Sequence, residues 1–322
     1  MTTPRADTAH ADTPHRDTPH VIALDVGGTG MKAALFDSAL TAAVAVDRPT
    51  PRRLGPEAVL DAIVSTLADL ARTAARQGLP VAHTGVVVPG IVDDPTGRVV
   101  YAANLGFADL PLAEVLRERT GLAVTVGHDV RAGAAAEAAR GAARGTRHAL
   151  FVPIGTGIAG GFVVDGRPLT ADGYAGEIGH IVVDPTGPAC GCGGRGCLEA
   201  LASGPALAAA LAARTGRAVR DAAQVADLVR EGDADAREVW DRAVDALGVV
   251  LAALTTALAP EVVVIGGGVG GAGDLLLTPL RSSLAARLTF QRVPRVTRAA
   301  LGDRAGCLGA GLLAWRAAGT DG

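Results

Sequence analysis

Three of the four cysteines of the chain lie within eight positions, in the stretch GHIVVDPTGPACGCGGRGCLEA from residue 179 to residue 200. Cys190 and Cys192 are too close to favour a disulfide with each other, and a redox dithiol usually has two residues between its cysteines. Thiolates together with one imidazole suit a tetrahedral zinc ion whose coordination positions are all filled. We therefore predict a structural zinc site in segment 180–197, with surface cysteines that bind no metal as the alternative. The predicted ligands are His180, Cys190, Cys192 and Cys197.

Three glycine-rich stretches have the composition of turns that bind phosphate or a nucleotide. DVGGTGMK (25–32) and IGTGIAGG (154–161) each place Gly-Thr-Gly between predicted strands, where bare backbone amides can approach a phosphate, and IGGGVGGAG (265–273) follows an apolar strand. One such turn is more often an ordinary hairpin turn, and neither common nucleotide-binding pattern fits, but a second turn favours a nucleotide held between two hairpins. Asp25 can hold Mg²⁺ or its water. The candidate nucleotide-binding residues are Asp25, Gly27, Gly28, Thr29, Lys32, Gly155, Thr156, Gly157, Gly266, Gly267 and Gly268.

Composition excludes several classes of protein. The chain has 322 residues, 49% of them hydrophobic, which is enough for a large core and favours two domains. A net charge of -3 and the lack of a basic run give no electrostatic basis for binding nucleic acid or an anionic membrane. The longest apolar stretch, ALGVVLAALTTALA (246–259), is too short to span a bilayer. With clustered cysteines and no signal segment, we expect a cytoplasmic protein without a transmembrane helix.

The order of predicted elements indicates two α/β domains. The first twenty residues repeat Asp-Thr-Pro/Ala-His with almost no apolar content, and we predict a disordered tail over residues 1–20. From Val21 onward strands and helices alternate, with strands over 21–26, 31–37 and 41–46 and a helix over 56–77. We predict an N-terminal domain over 21–130 and a C-terminal domain over 131–322, whose last helix packs back on the first domain.

The motifs resemble those of a known family. Asp-x-Gly-Gly-Thr, the later Gly-Thr-Gly and the late Gly-Gly-Gly turn look like the actin-like ATPase (ASKHA, ribonuclease H-like) architecture of sugar kinases and actin. EIGHIVVDPTGPACGCGGRGCLEA is similar to the signature of the ROK family (repressors, open reading frames, kinases), in which bacterial glucokinases carry Glu-x-Gly-His before their cysteines. The resemblance runs from about residue 21 to residue 315. It implies an α/β fold with a cleft between two domains, and ATP and Mg²⁺ as cofactors.

The resemblance also implies roles for single residues. Asp129, at the end of the strand AVTVGHD, matches the catalytic aspartate that accepts the proton of the sugar hydroxyl, although an aspartate there can be only a helix N-cap. Glu177, His180 and Glu199 match residues that contact the sugar. If zinc binds one ring nitrogen of His180, the other is held toward a sugar hydroxyl. Glu199 has a simpler alternative as a carboxylate at a helix N-terminus.

Two further sugar contacts carry over, Gly90 of VVVPGIVDD and Asn104 of AANLGF, although Asn104 can also simply hold a turn. The residue before Asp129 departs from the family pattern, because relatives usually carry an asparagine that binds the sugar and this chain has His128. A neutral imidazole can donate or accept a hydrogen bond but is bulkier, so the identity of the sugar stays open. We place His128 among the substrate-binding residues.

The resemblance therefore predicts a glucokinase that transfers a phosphoryl group from ATP to the 6-hydroxyl of glucose, as a homodimer or homotetramer. One alternative is a kinase for another sugar, such as N-acetylglucosamine, N-acetylmannosamine, mannose, fructose or allose, and another is a non-catalytic sugar-sensing regulator. Polyphosphate is an alternative donor. A DNA-binding repressor is disfavoured, since Asp25 lies too near the start of the sequence for a preceding winged helix-turn-helix.

Overall fold

The computed structural model describes residues 18–319. Residues 1–17 of the predicted tail lie outside this range. The predicted end of the tail at residue 20 is wrong, because His20 is buried and already belongs to the first strand.

The described chain forms two five-stranded sheets and one three-stranded sheet. The strands are β1 (His20–Val26), β2 (Gly30–Phe36), β3 (Ala42–Pro49), β4 (Val81–Val88), β5 (Ile91–Asp93), β6 (Arg98–Ala102), β7 (Phe107–Leu110), β8 (Val124–His128), β9 (Ala149–Pro153), β10 (Gly161–Val164), β11 (Arg167–Pro168), β12 (Val262–Gly266) and β13 (Arg295–Arg298). The α-helices are α1 (Pro56–Gln77), α2 (Leu112–Thr120), α3 (Asp129–Arg140), α4 (Leu198–Ala202), α5 (Gly204–Thr215), α6 (Ala222–Arg230), α7 (Ala234–Leu258), α8 (Gly267–Gly270), α9 (Asp274–Ala285) and α10 (Ala305–Ala317).

The two large sheets have the same connectivity. Their strand orders are β3-β2-β1-β4-β8 and β11-β10-β9-β12-β13. In each, the first three strands form an antiparallel meander and the last two run parallel to the first. The Gly-Thr-Gly turns join β1 to β2 and β9 to β10, so they occupy equivalent positions in the two halves.

Helix α1 shows how local sequence sets these elements. It begins after Gly55 with proline in its first turn and ends at Gly78 in the left-handed conformation, which are typical helix start and stop residues. Val59, Ile63 and Leu67 recur every four residues and are buried in the core of the first sheet. The predicted span of 56–77 is confirmed.

Helix α10 packs against the first sheet although it ends the described chain. A side chain at Gly85 of β4 would lie 2.0 Å from the Ala310 carbonyl oxygen, and one at Gly309 would lie 2.2 Å from that of Ala132 on α3. The Trp315 indole donates to the Asp37 carbonyl at 3.0 Å. Glycines on both sides of the contact therefore let the α10 backbone approach the sheet and α3 directly.

The structure corrects several expectations from sequence. The small sheet of β5, β6 and β7 was not predicted, because strands of three to five residues are too short to show a periodicity. The glycine-rich stretch after β12 begins with the short helix α8 rather than an open turn.

No helix within residues 18–319 is long and apolar enough to cross a membrane.

Candidate active site

A cleft of about 800 Å³ lies between the Gly-Thr-Gly turn of the second sheet and the carboxyl ends of β4 and β8. Tyr101 of β6 also lines the cleft. The sequence did not predict this residue, because Tyr101 is exposed and lies in a strand that was not predicted. All the residues that we assigned to the sugar line this cleft: Gly90, Asn104, His128, Asp129, Glu177, His180 and Glu199.

Gly90 is a position where the backbone requires glycine. Its φ is +101°, and a side chain there would lie 2.2 Å from the Tyr101 carbonyl oxygen. The bare backbone of Gly90 therefore joins β4 to the small sheet that carries Tyr101 at the edge of the cleft.

The predicted nucleotide-binding residues divide into two groups. Gly155, Thr156, Gly157 and Gly267 line the cleft. The remaining ones are not among its lining residues: Asp25, Gly27, Gly28, Thr29, Lys32, Gly266 and Gly268. The first turn nevertheless adjoins the sugar side, because a side chain at Gly28 would lie 3.4 Å from Cβ of Asn104.

The first turn is closed by hydrogen bonds within it and from Thr50. The Gly27 amide donates to the Gly30 carbonyl at 2.9 Å. The buried Thr50 hydroxyl donates to the Gly27 carbonyl at 2.7 Å, and the Thr50 amide donates to the Thr29 carbonyl. Thr50 fixes the turn from the end of β3, and no spacing in the sequence linked it to a glycine turn more than twenty residues earlier.

Lys32 does not extend into the cleft. Its ammonium lies 2.7 Å from both the carboxylate and the carbonyl oxygen of Asp303, in the short 3-10 turn Gly302–Arg304 that precedes α10. This ion pair connects the first hairpin to the start of α10.

Asp25 lies between the first turn and α10. A side chain at Gly306 would lie 2.3 Å from Oδ2 of Asp25, so the carboxylate rests directly on the first turn of that helix. Desolvation and the negative charge of Asp129 raise the pKa of Asp25 to about 7, against the opposing effect of Lys32. A divalent cation would favour the ionised form, and a carboxylate is the ligand type that Mg²⁺ prefers.

The second turn is fixed by Glu199. The Gly155 amide donates to the Gly157 carbonyl at 2.9 Å, and the Ile158 amide donates to Oε2 of Glu199 at 2.9 Å. A side chain at Gly157 would lie 2.6 Å from that same oxygen. Glu199 therefore does more than interact with the α4 dipole: it joins the predicted sugar site to the predicted phosphate turn.

The third glycine stretch packs beneath the second turn. Gly267 has a φ of +74°, and a side chain there would lie 2.4 Å from the Ile154 carbonyl oxygen. The Ile154 amide donates to the Gly266 carbonyl, and the Val269 amide donates to the Ile154 carbonyl, both at 3.0 Å. These bonds fix the position of α8 relative to the Gly-Thr-Gly turn.

Asp129 is the first residue of α3 and not its N-cap. The cap is His128, whose Nδ1 accepts a hydrogen bond from the Arg131 amide at 3.3 Å. Burial lowers the pKa of His128, partly offset by the charge of Asp129, so the imidazole is neutral at pH 7. The alternative in which Asp129 serves only as a cap is therefore wrong.

Arg131 connects both halves of the molecule next to Asp129. Its guanidinium is almost fully buried and donates to the Asp94 carboxylate at 2.8 Å, the Val92 carbonyl at 3.1 Å and the Gly173 carbonyl at 3.3 Å. Asp94 and Val92 belong to the region of β5, whereas Gly173 lies in the segment that leads to Glu177. Sequence reasoning missed Arg131, because a lone arginine on a helix is usually a solvated residue.

The His180 and cysteine cluster has the dimensions of a zinc site. Nδ1 of His180 lies 3.6 Å from Sγ of Cys190, and the sulfur atoms of Cys192 and Cys197 are 3.7 Å apart. All four ligand atoms lie within 4.8 Å of one another. Zinc–sulfur bonds of about 2.3 Å in a tetrahedron place sulfur atoms roughly 3.8 Å apart, so these residues fit the ion. Nε2 of His180 lies 3.8 Å from a carboxylate oxygen of Glu177, on the side away from the sulfurs.

Comparison with known proteins identifies the family and the fold. A model of the ROK family matches residues 21–317. The glucokinase of Thermotoga maritima is 35% identical over 309 residues, which cover 90% of this chain and 95% of that protein. A ROK hexokinase from Thermus thermophilus superposes with a TM-score of 0.79 at 37% identity, covering 94% of this chain and 100% of that one. A ROK glucokinase from Streptomyces griseus, solved with glucose and AMPPNP, superposes with a TM-score of 0.80 at 30% identity, covering 92% and 99%. The predicted actin-like ATPase fold class is confirmed.

Proposed function

The chain belongs to the ROK family, and we propose that it is a glucokinase, which transfers the γ-phosphoryl group of ATP to the 6-hydroxyl of glucose. One observation carries the proposal. Asp129 faces the same cleft as the second Gly-Thr-Gly turn and as Glu177, His180 and Glu199. A proton acceptor, a phosphate-binding backbone and a set of groups that bind hydroxyls therefore lie within one cavity.

The residues divide the chemistry among them. Glu177, Glu199, Asn104 and Nε2 of His180 would hold the hydroxyls of the sugar ring, since carboxylates accept and amides both donate and accept hydrogen bonds. Asp129 would accept the proton of the reacting hydroxyl. The backbone amides of both Gly-Thr-Gly turns would bind the phosphates, and Asp25 would hold Mg²⁺, which neutralises phosphate charge when it is bound.

The zinc ligands would act through the shape of the sugar site. Zinc on Nδ1 of His180 leaves the proton on Nε2, the atom nearest Glu177, so that the ring becomes a fixed donor. The cluster supplies no open coordination position, and its role is structural.

The proposal is tested by a coupled kinase assay with ATP and Mg²⁺ over glucose, mannose, fructose, allose, N-acetylglucosamine and N-acetylmannosamine. We expect glucose to be preferred and kcat to fall by about 10²–10⁴-fold in Asp129→Asn, since that is the usual contribution of a general base. Asp165→Asn is the matched control, because Asp165 lies on an exposed turn at positive φ that asparagine also adopts. Preference for an N-acetylhexosamine would refute the assignment of glucose. If none of the sugars is phosphorylated, the assignment of the protein as a kinase is refuted.

We also propose a cytoplasmic location and a homodimer or homotetramer. Cysteines arranged to bind zinc suit a reducing compartment, and ATP as donor agrees with it. Light scattering of the zinc-loaded protein measures the oligomeric state, and a monomer at micromolar concentration would contradict this part of the proposal.

A further inference from the structure

His128 occupies the residue position directly before the proposed base, and its two ring nitrogens have different surroundings. The backbone of His128 is extended, with φ of -89° and ψ of 135°, as is usual for a residue that caps a helix. Nδ1 accepts from the Arg131 amide. Nε2 lies 3.5 Å from Oδ1 of Asp129, and the residue lines the cleft.

The cap determines where the proton of the imidazole lies. A ring nitrogen that accepts a hydrogen bond carries no proton, so a neutral His128 holds its proton on Nε2. The ring is only 6% exposed. The side of the ring that faces Asp129 is thus a donor.

The two oxygens of the Asp129 carboxylate are also distinguished. The Val130 amide donates to Oδ1 at 2.6 Å, and Nε2 of His128 approaches the same oxygen. Both contacts fall on Oδ1, which leaves Oδ2 to receive a proton from a bound hydroxyl.

We propose that His128 is a positioning residue that caps α3 through Nδ1, directs its Nε2 proton toward Oδ1 of Asp129 and the adjacent sugar oxygen, and thereby makes Oδ2 the proton acceptor. This inference rests on the proposed glucokinase function for the identity of the substrate. In the reaction the hydroxyl proton moves to Oδ2, the hydroxyl oxygen forms its bond to the γ-phosphorus, and the bond from that phosphorus to the bridging oxygen breaks to release ADP.

The proposal explains how a histidine can serve where relatives carry asparagine. An asparagine side chain offers one acceptor and one amino donor, and asparagine is among the preferred N-cap residues. The imidazole in the Nε2–H tautomer presents the same pair, an acceptor for the helix amide and a donor for the cleft. The histidine side chain is bulkier than that of asparagine, but it keeps the same pattern of one acceptor and one donor.

Nuclear magnetic resonance tests the tautomer without any assay of activity. Long-range ¹H–¹⁵N spectra of the zinc-loaded protein distinguish a protonated ring nitrogen from a bare one, and the His128 signals are assigned by their loss in His128→Asn. We expect a bare Nδ1 and a protonated Nε2 at pH 7.5, with the Nε2 shift changing when glucose is added. A protonated Nδ1 would overturn the proposal.

Two variants of His128 distinguish its role as the helix cap from its role as a hydrogen-bond donor. Serine is a strong N-cap but has no donor at the position of Nε2, whereas asparagine supplies both. We expect His128→Ser to keep the wild-type melting temperature within a few degrees and to lose about 10–100-fold in kcat, and His128→Asn to lose no more than about threefold. Equal kcat in both variants would overturn the role of the donor. If the wild type phosphorylates none of the sugars, the glucokinase fails while the tautomer result still stands or falls by itself.

Discussion

At the scale of single residues, the site holds ionisable groups whose surroundings differ from water. Asp25 keeps its proton to an unusually high pH because desolvation and Asp129 both disfavour its charge, and His128 stays neutral because it is buried. Both effects prepare the site for ligands: a cation restores the charge of Asp25, and a neutral imidazole can donate and accept at once.

Asp25 gives a prediction about stability. The unfolded chain loses this proton near pH 4, whereas the folded protein keeps it until about pH 7. The free energy of unfolding therefore falls as pH rises from about 4 to about 7. Without Mg²⁺, we expect Asp25→Asn to be more stable than wild type at pH 8 by up to about 4 kcal/mol, because each unit by which burial raises the pKa costs about 1.4 kcal/mol.

Urea unfolding at pH 5 and pH 8 measures this difference, which should shrink at the lower pH. Asp303→Asn is the comparison, since that carboxylate is exposed and its ion pair with Lys32 holds its pKa below the ordinary value. A gain in stability of Asp25→Asn that is the same at both pH values would contradict the assigned cause.

At the scale of elements, the segment with the zinc ligands has few regular contacts to hold it. Between the short turn at Ile178–His180 and α4 it contains no helix or strand. It is held by isolated bridges, such as Val182 with Cys197, and by turn hydrogen bonds, such as that from the Cys190 amide to the Gly194 carbonyl. Arg242 of α7 lies 2.9 Å from the Asp184 carboxylate and anchors the segment from outside. A zinc ion bound to the four ligands would add cross-links that this backbone pairing does not supply.

Loss of zinc should weaken sugar binding. Glu177, His180 and Glu199 lie within or beside the segment, so we expect Cys190→Ser to lose its zinc and to raise the KM for glucose by about 10–100-fold, the usual effect of disturbing groups that orient a ligand. Elemental analysis and kinetics measure both effects. The control is Cys307→Ala, a buried cysteine of α10 outside the cluster. A variant that lost zinc but kept its KM would show that the metal does not order the sugar site.

The glycines of α10 give a second prediction at this scale. A methyl group at Gly309 would meet the backbone carbonyl of Ala132 at 2.2 Å, and backbone cannot move aside as a flexible side chain can. We expect Gly309→Ala to reduce the free energy of unfolding by about 1–3 kcal/mol, as overpacked sites usually do. Gly268→Ala is the matched control, because a side chain there meets nothing within 4 Å. Chemical denaturation compares them, and equal stabilities would contradict the close packing of α10 on α3.

At the scale of the whole molecule, contacts between distant segments complete the site. Arg131 is the clearest case, since one guanidinium joins β5, α3 and the segment before Glu177. The same contacts show why sequence reasoning reached only part of the structure. Motifs such as Glu-x-Gly-His and Gly-Thr-Gly carry their chemistry within a few residues, so the site residues of the cleft could be predicted.

Residues that act over a long sequence separation could not be found in this way. Thr50, Arg131 and the pairing of Lys32 with Asp303 depend on the packing of elements, which no local spacing encodes. The duplicated order of strands was visible only as two hairpins with similar turns, and the small sheet was missed because its strands are short. The helix α1, by contrast, carries its own start, stop and apolar stripe.

Arg131 gives a prediction at this scale. We expect Arg131→Met to leave Asp94 without its partner, to reduce stability by about 3 kcal/mol, and to raise the KM for glucose at least tenfold while the KM for ATP changes less than threefold. The contacts of Arg131 reach β5, which follows Gly90, and the segment that leads to Glu177. Arg147→Met is the control, because the pair of Arg147 with Asp165 is exposed and contributes little. Steady-state kinetics with glucose and ATP varied separately measure the two KM values. Equal increases in both would contradict the assignment of Arg131 to the sugar site.

The duplicated sheets carry Gly-Thr-Gly at equivalent turns, residues 28–30 and 155–157, but the residues three positions before these turns differ. The first is Asp25, and the second is Val152, which is fully buried. Of the two equivalent strands, only the first thus carries a carboxylate three residues before its Gly-Thr-Gly turn. This difference gives a polarity to a chain of phosphates bound between the two turns. The chain would meet a cation held by Asp25 at the first turn, and at the second turn it would meet backbone amides beside Glu199, whose carboxylate already accepts from the Ile158 amide. The end of the phosphate chain that is transferred and the end that leaves would then not be interchangeable.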